Sequence, residues 1–552
     1  MPRFVLLDHS LSDYVGHHYA YAKLLLTAAR AEGFHPVLAA NRRMRSLGPE
    51  FPEVEVHRLF RYSTYCRYTY DALHPLGRRT AGGALTRVAR ARRSRSFAAA
   101  CAALARKVPL EEDDVVFAAT MSELDFSGLA RWLAADPNTR RARWHVQFHV
   151  NLFRGREPDY PSQHSVAGAV REVLGRALAP LHGHRLRLYC TTAPLARQYD
   201  GLGVGRFEVL PYPVDEAFWR PNRSIGNGAP LRVALAGHSR REKGHAHLPG
   251  LVRELWDRHL STGRVQLVVQ SRAGKVRLTL PPGAAPDVEP VVFAPAGLPQ
   301  ERYVELVRGA DVGLLPYDAD RYYTRCSGVL LEMLCAGVPV LVPAGTWLAE
   351  QIAEPIQRHL DGLAASAGPK LPRRTTHGEA ARPLAEPTPD HAGARFDLDI
   401  PPSVSDLLVS FTWPEPREPG VYIRVETRQL DAREAEIGTT ADVVGQRERS
   451  LPVRALVRVV DGARSLRLVL RDAFGDSTPA LEHLSVQPIV PGGSSPAAGA
   501  VGLIAAEPAR EPALVRELIE HHSHYRRTAT SFAVACRERH TAAEVLRRLL
   551  ED

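Results

Sequence analysis

The sequence predicts an α/β protein: two doubly wound parallel-sheet domains, the second interrupted by an all-β sandwich. Three observations carry this. Over the first 220 residues, and again from Leu231 to Pro343, short apolar runs alternate with amphipathic stretches in the rhythm of βαβ units. Two turn-rich breaks, 221–230 and 491–500, and one aperiodic stretch, 361–393, divide the chain. Between Arg395 and Val490 the segments shorten and alternate without helical pattern, as in a sandwich of ~100 residues. A length of 552 residues accommodates these units.

Taken in order, Phe4–Asp8 is an apolar run, followed by the polar loop Ser10–Gly16 and the amphipathic stretch His17–Ala31, which Gly33 stops. Pro36–Ala40, Val115–Ala119, Trp144–Val150 and Leu186–Thr191 are further buried-strand candidates. Sheets of this kind place ligands beyond the carboxyl ends of their strands. After the 221–230 break, Leu231–Ala236 reads as a strand, Gly237–Gly244 as a polar loop and His247–Leu260 as a helix. Strands continue at Val265–Gln270, Pro290–Phe293, Val312–Pro316 and Val338–Pro343, with helices at Glu301–Gly309 and Gly328–Cys335. The sandwich segments are Phe396–Ile400, Asp406–Trp413, Gly420–Val425, Val453–Val460, Leu466–Leu470 and Leu484–Pro488. Val501–Ala505 is strand-like again and helical stretches run to Asp552, so the β-module interrupts the second α/β domain. The expected division is 1–222, then 228–360 with 500–552, a linker at 361–393 and the module at 394–490. The last helix is drawn as packing back on the first domain.

Composition narrows the class. Hydrophobic residues at 45% and charged ones at 24% exclude a disordered or fibrous chain. No apolar run reaches the ~18 residues of a membrane span, and the start MPRFVLLDHS is too short and too soon acidic for a signal peptide. The six cysteines form no C-x-x-C pair and read as reduced thiols, which sets the expectation of a cytoplasmic protein. The net charge of +10 rests on arginine, since only five of the 71 cations are lysine. That bias comes with much Ala, Gly and Pro, and no nucleic-acid motif accompanies it, so no nucleic-acid partner is expected. Residues 72–110 hold nine cations and no acid, Arg87–Leu104 being helical. A basic helix within 78–107 suits a peripheral contact with anionic membrane; the plainer alternative is a solvated helix.

The stretch from Leu314 to Pro343 carries the most chemistry. It reads as a strand, a polar loop and a helix opening near Ser327-Gly328-Val329, whose amides attract an anion and which Ser327 caps. Glu332 lies about one turn in, on a face that reaches toward a ribose hydroxyl. Gly337-Val-Pro-Val340 ends the helix and begins a buried strand.

These residues resemble the donor site of retaining GT-B glycosyltransferases, in which two glutamates with seven residues between them precede an Ala-x-Gly-x-Pro-Val strand. Gly237-His-Ser-Arg-Arg-Glu-Lys243-Gly244 resembles the Gly…Arg…Lys-Gly loop of that family, and Pro211-Tyr-Pro-Val-Asp215 with Phe218 and Pro221 resembles its hinge signature. The resemblance covers 1–350 and 500–552, not the β-module. It implies two Rossmann-like domains and a nucleotide-diphosphate sugar bound as substrate, with no cofactor and no metal. The sugar would pass to a glycan, lipid-linked or small-molecule acceptor with retention of configuration. It assigns Arg241, or its neighbour Arg240, and Lys243 to the diphosphate, as bidentate and point charges. The backbone of Ser327, Gly328 and Val329 would bind phosphate oxygens, and Glu332 the ribose. The first glutamate falls at Thr324, leaving Tyr323, Arg325 or Ser327 to take its place. On the acceptor side, Gly16, His17 and His18 occupy the first βα loop. His149 resembles the histidine that approaches the transferred sugar.

Other groupings carry less. His521, His522 and His524 have no carboxylate or cysteine spaced with them, so no metal site is expected. A G-x-G-x-x-G fingerprint is absent. Two alternatives to a transferase stand: a non-catalytic GT-B-like scaffold binding glycan or nucleotide sugar, and a nucleotide-sugar epimerase.

Overall fold

The computed structural model describes residues 1–13, 16–45, 53–64, 83–153, 155–157, 164–219, 229–237, 240–272, 275–285, 287–372, 394–413, 420–445, 447, 451–474, 480–489 and 500–551. Both interdomain breaks lie mostly outside them, as do Pro221, Arg78, Arg79 and most of the expected linker.

The first sheet has seven strands: β1 (Arg3–Asp8), β2 (His35–Asn41), β3 (Glu55–Phe60), β4 (Val115–Met121), β5 (Arg143–Phe148), β6 (Arg185–Cys190) and β7 (Phe207–Val209). All pair in parallel in the order β3-β2-β1-β4-β5-β6-β7. Its helices are α1 (His17–Ala31), α2 (Gly83–Lys107), α3 (Glu123–Ala135), α4 (His164–Leu178) and α5 (Ala193–Asp200). Strands β1 and β4 are buried along nearly their whole length, as strands covered by helices on both faces must be.

The basic run takes the form of α2, but the helix is not solvated all round. Phe97, Cys101 and Leu104 face the core, and Arg93, 5% exposed, donates from Nε and Nη2 to both carboxylate oxygens of Asp125 at 2.8 and 2.7 Å. One cation of the expected membrane-facing set is therefore a buried structural group. No helix is long and apolar enough to cross a membrane among the described residues.

The second sheet runs β10-β9-β8-β11-β12-β20, all parallel, from β8 (Leu231–Leu235), β9 (Val265–Ser271), β10 (Val291–Pro295), β11 (Val312–Leu314), β12 (Val340–Pro343) and β20 (Gly502–Ala505). Helices α6 (Leu248–Leu255), α7 (Gln300–Arg308), α8 (Ala319–Tyr322), α9 (Gly328–Cys335) and α10 (Trp347–Ala364) connect the strands. Because β12 and β20 are hydrogen-bonded neighbours, everything between them is an insertion into one sheet.

That insertion is a sandwich of two antiparallel sheets, β13-β18-β15-β16 and β17-β14-β19. The strands are β13 (Ala394–Asp399), β14 (Asp406–Thr412), β15 (Tyr422–Leu430), β16 (Glu436–Gly445), β17 (Val453–Arg458), β18 (Ser465–Asp472) and β19 (Glu482–Ile489). Phe396, Leu398, Val409, Phe411, Ile423 and Leu468 fill its core. Sequence periodicity misses β16, whose first half breaks the apolar alternation, with Glu436 and even the apolar Ile437 exposed, because it is an edge strand. The expected linker also begins too early. Residues 361–364 finish α10, and Gly368 and Leu371 then bond to Pro488 and Val486 at 2.8 Å.

After β20 come α11 (Glu511–Glu520), α12 (His522–Arg539) and α13 (Ala542–Leu550). Cys536 of α12 meets Cys335 of α9, sulfur to sulfur, at 3.6 Å. Helix α13 returns to the first domain, packing on α1. Val214 N–H donates to His540 O at 2.8 Å, and Arg143 to Leu550 O at 3.1 Å.

Candidate active site

Strand order reverses between β8 and β11, so the loops leaving their carboxyl ends diverge and open a crevice, the position where such sheets take ligands. The loop after β8 contains Gly237 and Lys243; the loop after β11 leads through Tyr317 to the start of α9. The sequence motifs meet here.

Gly237 has φ +96°, and its N–H donates to Gln270 Oε1 at 2.6 Å. Gln270 Nε2 in turn reaches Pro295 O and Ala296 O at 3.3 and 3.4 Å, tying the ends of β8, β9 and β10 together. A Cβ at Gly237 would lie 2.5 Å from Lys243 Nζ and 3.2 Å from Val329 Cγ2. Glycine is thus what lets the ammonium lie against the backbone beside α9. Gly244, at φ +72°, allows the loop to cross under Pro316, whose carbonyl oxygen would be 1.8 Å from an added Cβ.

Lys243 Nζ sits 4.9 Å from the centroid of the Tyr317 ring. Burial, with the nearby Arg240 charge, lowers its pKa, while Tyr322 and Glu332 oppose that shift. A desolvated ammonium beside another cation is a place an anion would relieve. Arg240 and Arg241 are exposed, and no carboxylate pairs with either among the described residues.

Across the crevice Ser327 caps α9, its Oγ accepting from Leu330 N–H at 3.3 Å. Gly328 lies against Tyr212, an added Cβ being 3.4 Å from that ring. Glu332 follows one turn later. Burial raises its carboxyl to about 7, and the Tyr303 hydroxyl, donating to Oε2 at 2.5 Å, works against that rise. Tyr303 packs edge-on to Phe218 of the hinge signature, the ring centroids 6.0 Å apart. Beside the loop, the ends of β9 and β10 enclose a pocket of about 480 Å³ lined by Ser271, Arg272, Phe293, Pro295, Ala296 and Gly297.

The three positions offered in place of the first glutamate diverge. Tyr323 is 1% exposed, and its hydroxyl donates to Glu157 Oε2 at 2.8 Å. It belongs to the packing between domains and is not free to meet a donor, which corrects its expected role. Arg325 reaches across to Asn151 Oδ1 at 3.4 Å, and Ser327 is committed to its cap. Thr324 is itself 1% exposed, its carbonyl accepting from Thr192 Oγ1 at 2.6 Å.

On the first domain, Gly16 starts α1 at φ +92°. His17 is the first residue of that helix, and His18 Nδ1 lies 2.9 Å from Asp8 Oδ2. Burial would raise the Asp8 carboxyl, but His18, His9 and the Ser10 N–H outweigh it and hold its pKa low. His149, after β5, has Nε2 at 2.7 Å from Ala119 O and 3.1 Å from Gln147 Oε1. Burial lowers its pKa to about 4. The ring is therefore neutral at physiological pH, with the proton on Nε2 facing Ala119 and Nδ1 left as an acceptor. Tyr21 ties this region to the hinge segment: its hydroxyl donates to Gln147 Oε1 at 3.0 Å, and its ring lies 5.5 Å from that of Tyr212.

Sequence reasoning missed Gln270, Tyr303 and Asp8. Each is an ordinary polar residue whose partner is remote in the chain, so no local spacing marks it. The histidines at 521, 522 and 524 separate: His522 is buried against Asp311 O at 3.2 Å, and no group of His, Cys, Asp and Glu able to hold a metal occurs among the described residues.

No family model matches this chain, and no curated protein does. Among solved structures it is similar to the N-terminal domain of a Candida albicans trehalose-6-phosphate phosphatase, at 13% identity and TM-score 0.44 over 64% of this chain and 85% of that one. It is also similar to a UDP-forming α,α-trehalose-phosphate synthase from Burkholderia xenovorans in complex with glucose-6-phosphate, at 14% and 0.46 over 64% and 88%. The Burkholderia vietnamiensis synthase gives 14% and 0.44 over 64% and 85%.

Proposed function

We propose that this chain is a GT-B glycosyltransferase that moves a sugar from a nucleotide-diphosphate donor to a hydroxyl-bearing acceptor with retention of configuration. One observation carries the reading: a desolvated ammonium, Lys243, lies over Gly237 against the capped start of α9, with Glu332 one turn away. Lys243, Arg241 and the first amides of α9 would bind the diphosphate and stabilise the charge that grows on it as the glycosidic bond breaks. Glu332 would accept from ribose hydroxyls, and the pocket behind Gln270, with Phe293 at its rim, has room for the base. The acceptor would enter over Gly16 and His18, where the neutral His149 offers Nδ1 to a sugar hydroxyl. Closure of the two domains would exclude water as a competing acceptor.

The test is a thermal-shift panel of nucleotide diphosphates and their sugars, followed by donor hydrolysis and transfer. A shift that disappears in Lys243→Ala and Glu332→Ala, with turnover lost in both, supports the reading. If no nucleotide moves the melting transition, it is wrong. Anomeric analysis of the product tests retention.

The buried Thr324, standing where an acid would meet the sugar, favours a second reading as a non-catalytic binding scaffold. Nucleotide binding without turnover of any donor would select it.

A further inference from the structure

We propose that the seam between the inserted sandwich and the second α/β domain is a second binding site, separate from the donor crevice, for an uncharged saccharide. A cavity of about 970 Å³ opens there between α10, β16, β17, β20 and α11. That is the size of a small-molecule site. None of Gly237, Lys243, Ser327 and Glu332 lines it.

The walls define the ligand. Ile356, Leu360, Leu456, Leu503 and Leu514 supply apolar surface, suited to the C–H faces of a sugar ring. Between them stand guanidinium groups already held by carboxylates. Arg447 bonds Glu354 and Asp361 at 3.1 and 2.9 Å, Arg454 bonds Asp361 at 2.8 Å, and Arg458 bonds Glu517 at 2.9 Å. Charge is thereby cancelled within the wall while the donors stay fixed in place.

Two further carboxyls face the same space. Glu350 accepts from the Tyr422 hydroxyl at 3.3 Å, and Asp442 accepts from the N–H of its neighbour Val443 at 2.8 Å. Burial raises them to about 7 and about 6, so near neutral pH each exchanges between donor and acceptor forms.

Unsatisfied groups then select among ligand classes. Glu517 Oε1 and Arg510 Nε, both on residues lining the cavity, are buried without a hydrogen-bond partner, and Asp406 Oδ1 there has no hydrogen bond but only the Arg458 guanidinium at 3.7 Å. Buried polar atoms of this kind normally have a partner, from protein, water or ligand. The three are two acceptors and one donor. An anion would meet the carboxylate oxygens and a cation the guanidinium groups. A hydroxyl both gives and accepts, and a neutral molecule carrying several hydroxyls is a saccharide.

Ligand-observed saturation-transfer NMR on the full chain tests this, with glucose, mannose, galactose, N-acetylglucosamine and their disaccharides as probes. At least one should bind, and Ala513→Phe should weaken it tenfold or more, because position 513 is an exposed site of α11 on the cavity wall. Asp442→Asn should weaken it in the same direction, and melting curves of both variants report that they are folded. Lys243→Ala should leave this binding unchanged while abolishing the nucleotide shift, which separates the proposal from the donor reading. Absence of binding across the panel, or a saccharide bound equally by Ala513→Phe, overturns it.

Discussion

At the scale of single residues the crevice depends on one glycine, Gly244, and one carboxyl, Glu332. Gly244 combines a left-handed backbone with a neighbour that leaves no room for a methyl group, Pro316 O at 1.8 Å. Gly33 has a comparable φ, +84°, in open space. Alanine at either costs the left-handed strain of about 1–2 kcal/mol, but only Gly244→Ala must also displace the loop that carries Lys243. Nucleotide affinity should therefore fall at least tenfold in Gly244→Ala and stay unchanged in Gly33→Ala. Equal affinities by calorimetry would show that the loop is not the binding element. Glu332 sets a pH dependence whose sign follows from its raised pKa. Its folded value, about 7, exceeds the 4.5 of a free glutamate, so the native state binds a proton more tightly than the unfolded chain does. This contribution is present at low pH and is lost as pH rises from 4.5 to about 7. On the proposed reading nucleotide binding runs the other way, since ribose hydroxyls would donate to the carboxylate. Affinity should rise through pH 7, and Tyr303→Phe, by removing a donor to the carboxylate, should move that midpoint upward. A midpoint unmoved by the substitution would remove Tyr303 as a positioning residue.

At the scale of elements, α2 shows what periodicity cannot read. Nine cations without an acid describe a solvated face, yet Arg93 turns inward because Asp125 waits at the start of α3, buried and far along the chain. Burial pushes the Asp125 carboxyl up, but His9 and Arg93 prevail and hold it well below the usual range. Removing one partner of such a pair costs about 3–5 kcal/mol because the other charge stays buried. Arg93→Ala should lose that much in denaturant unfolding, whereas Arg92→Ala, one residue away and exposed, should stay within about 0.5 kcal/mol of the parent. Comparable losses would mean that the buried pair contributes nothing specific. The opposite case is α9, fully legible because its signals are local: Ser327 at the cap, apolar residues on the inner face and Gly337 at φ +68° to end it. Strand β16 and Tyr303 were illegible for the reason Arg93 was. Their roles are set by tertiary neighbours, and polar residues carry no period of their own.

At the scale of the molecule, the order of elements showed that the β-module interrupts the second domain, since a strand-like Val501–Ala505 resumes the pattern after it. What order could not show is which surfaces the module touches. It holds the second domain through several ion pairs, Arg447 and Arg454 of the module to Glu354 and Asp361 of α10, and Arg458 to Glu517 of α11. Toward the first domain its described contacts are apolar and close-packed: Tyr422 and Val443 enter that domain's buried cluster, Arg156 lies over the Phe474 ring at 3.3 Å, and Glu157 O is so close to Gly420 that a Cβ there would lie 2.3 Å away. A hinge between the α/β domains would therefore carry the module with the second and part it from the first. A cation–π contact of about 0.5–2 kcal/mol biases such a two-state motion by roughly 2- to 30-fold, since 1.4 kcal/mol is a factor of ten. Phe474→Ala should thus broaden the distance between spin labels on α4 and α7, measured by double electron–electron resonance, and shift it toward longer values. Glu354→Gln alters the module's hold on the second domain only, and should leave that distribution as it is. If both variants broaden it alike, the module bears on the second domain as a whole and has no separate grip on the first. If neither does, the domains are fixed by α13 and the Tyr212 hinge instead, and closure has to be sought within the loops of the crevice.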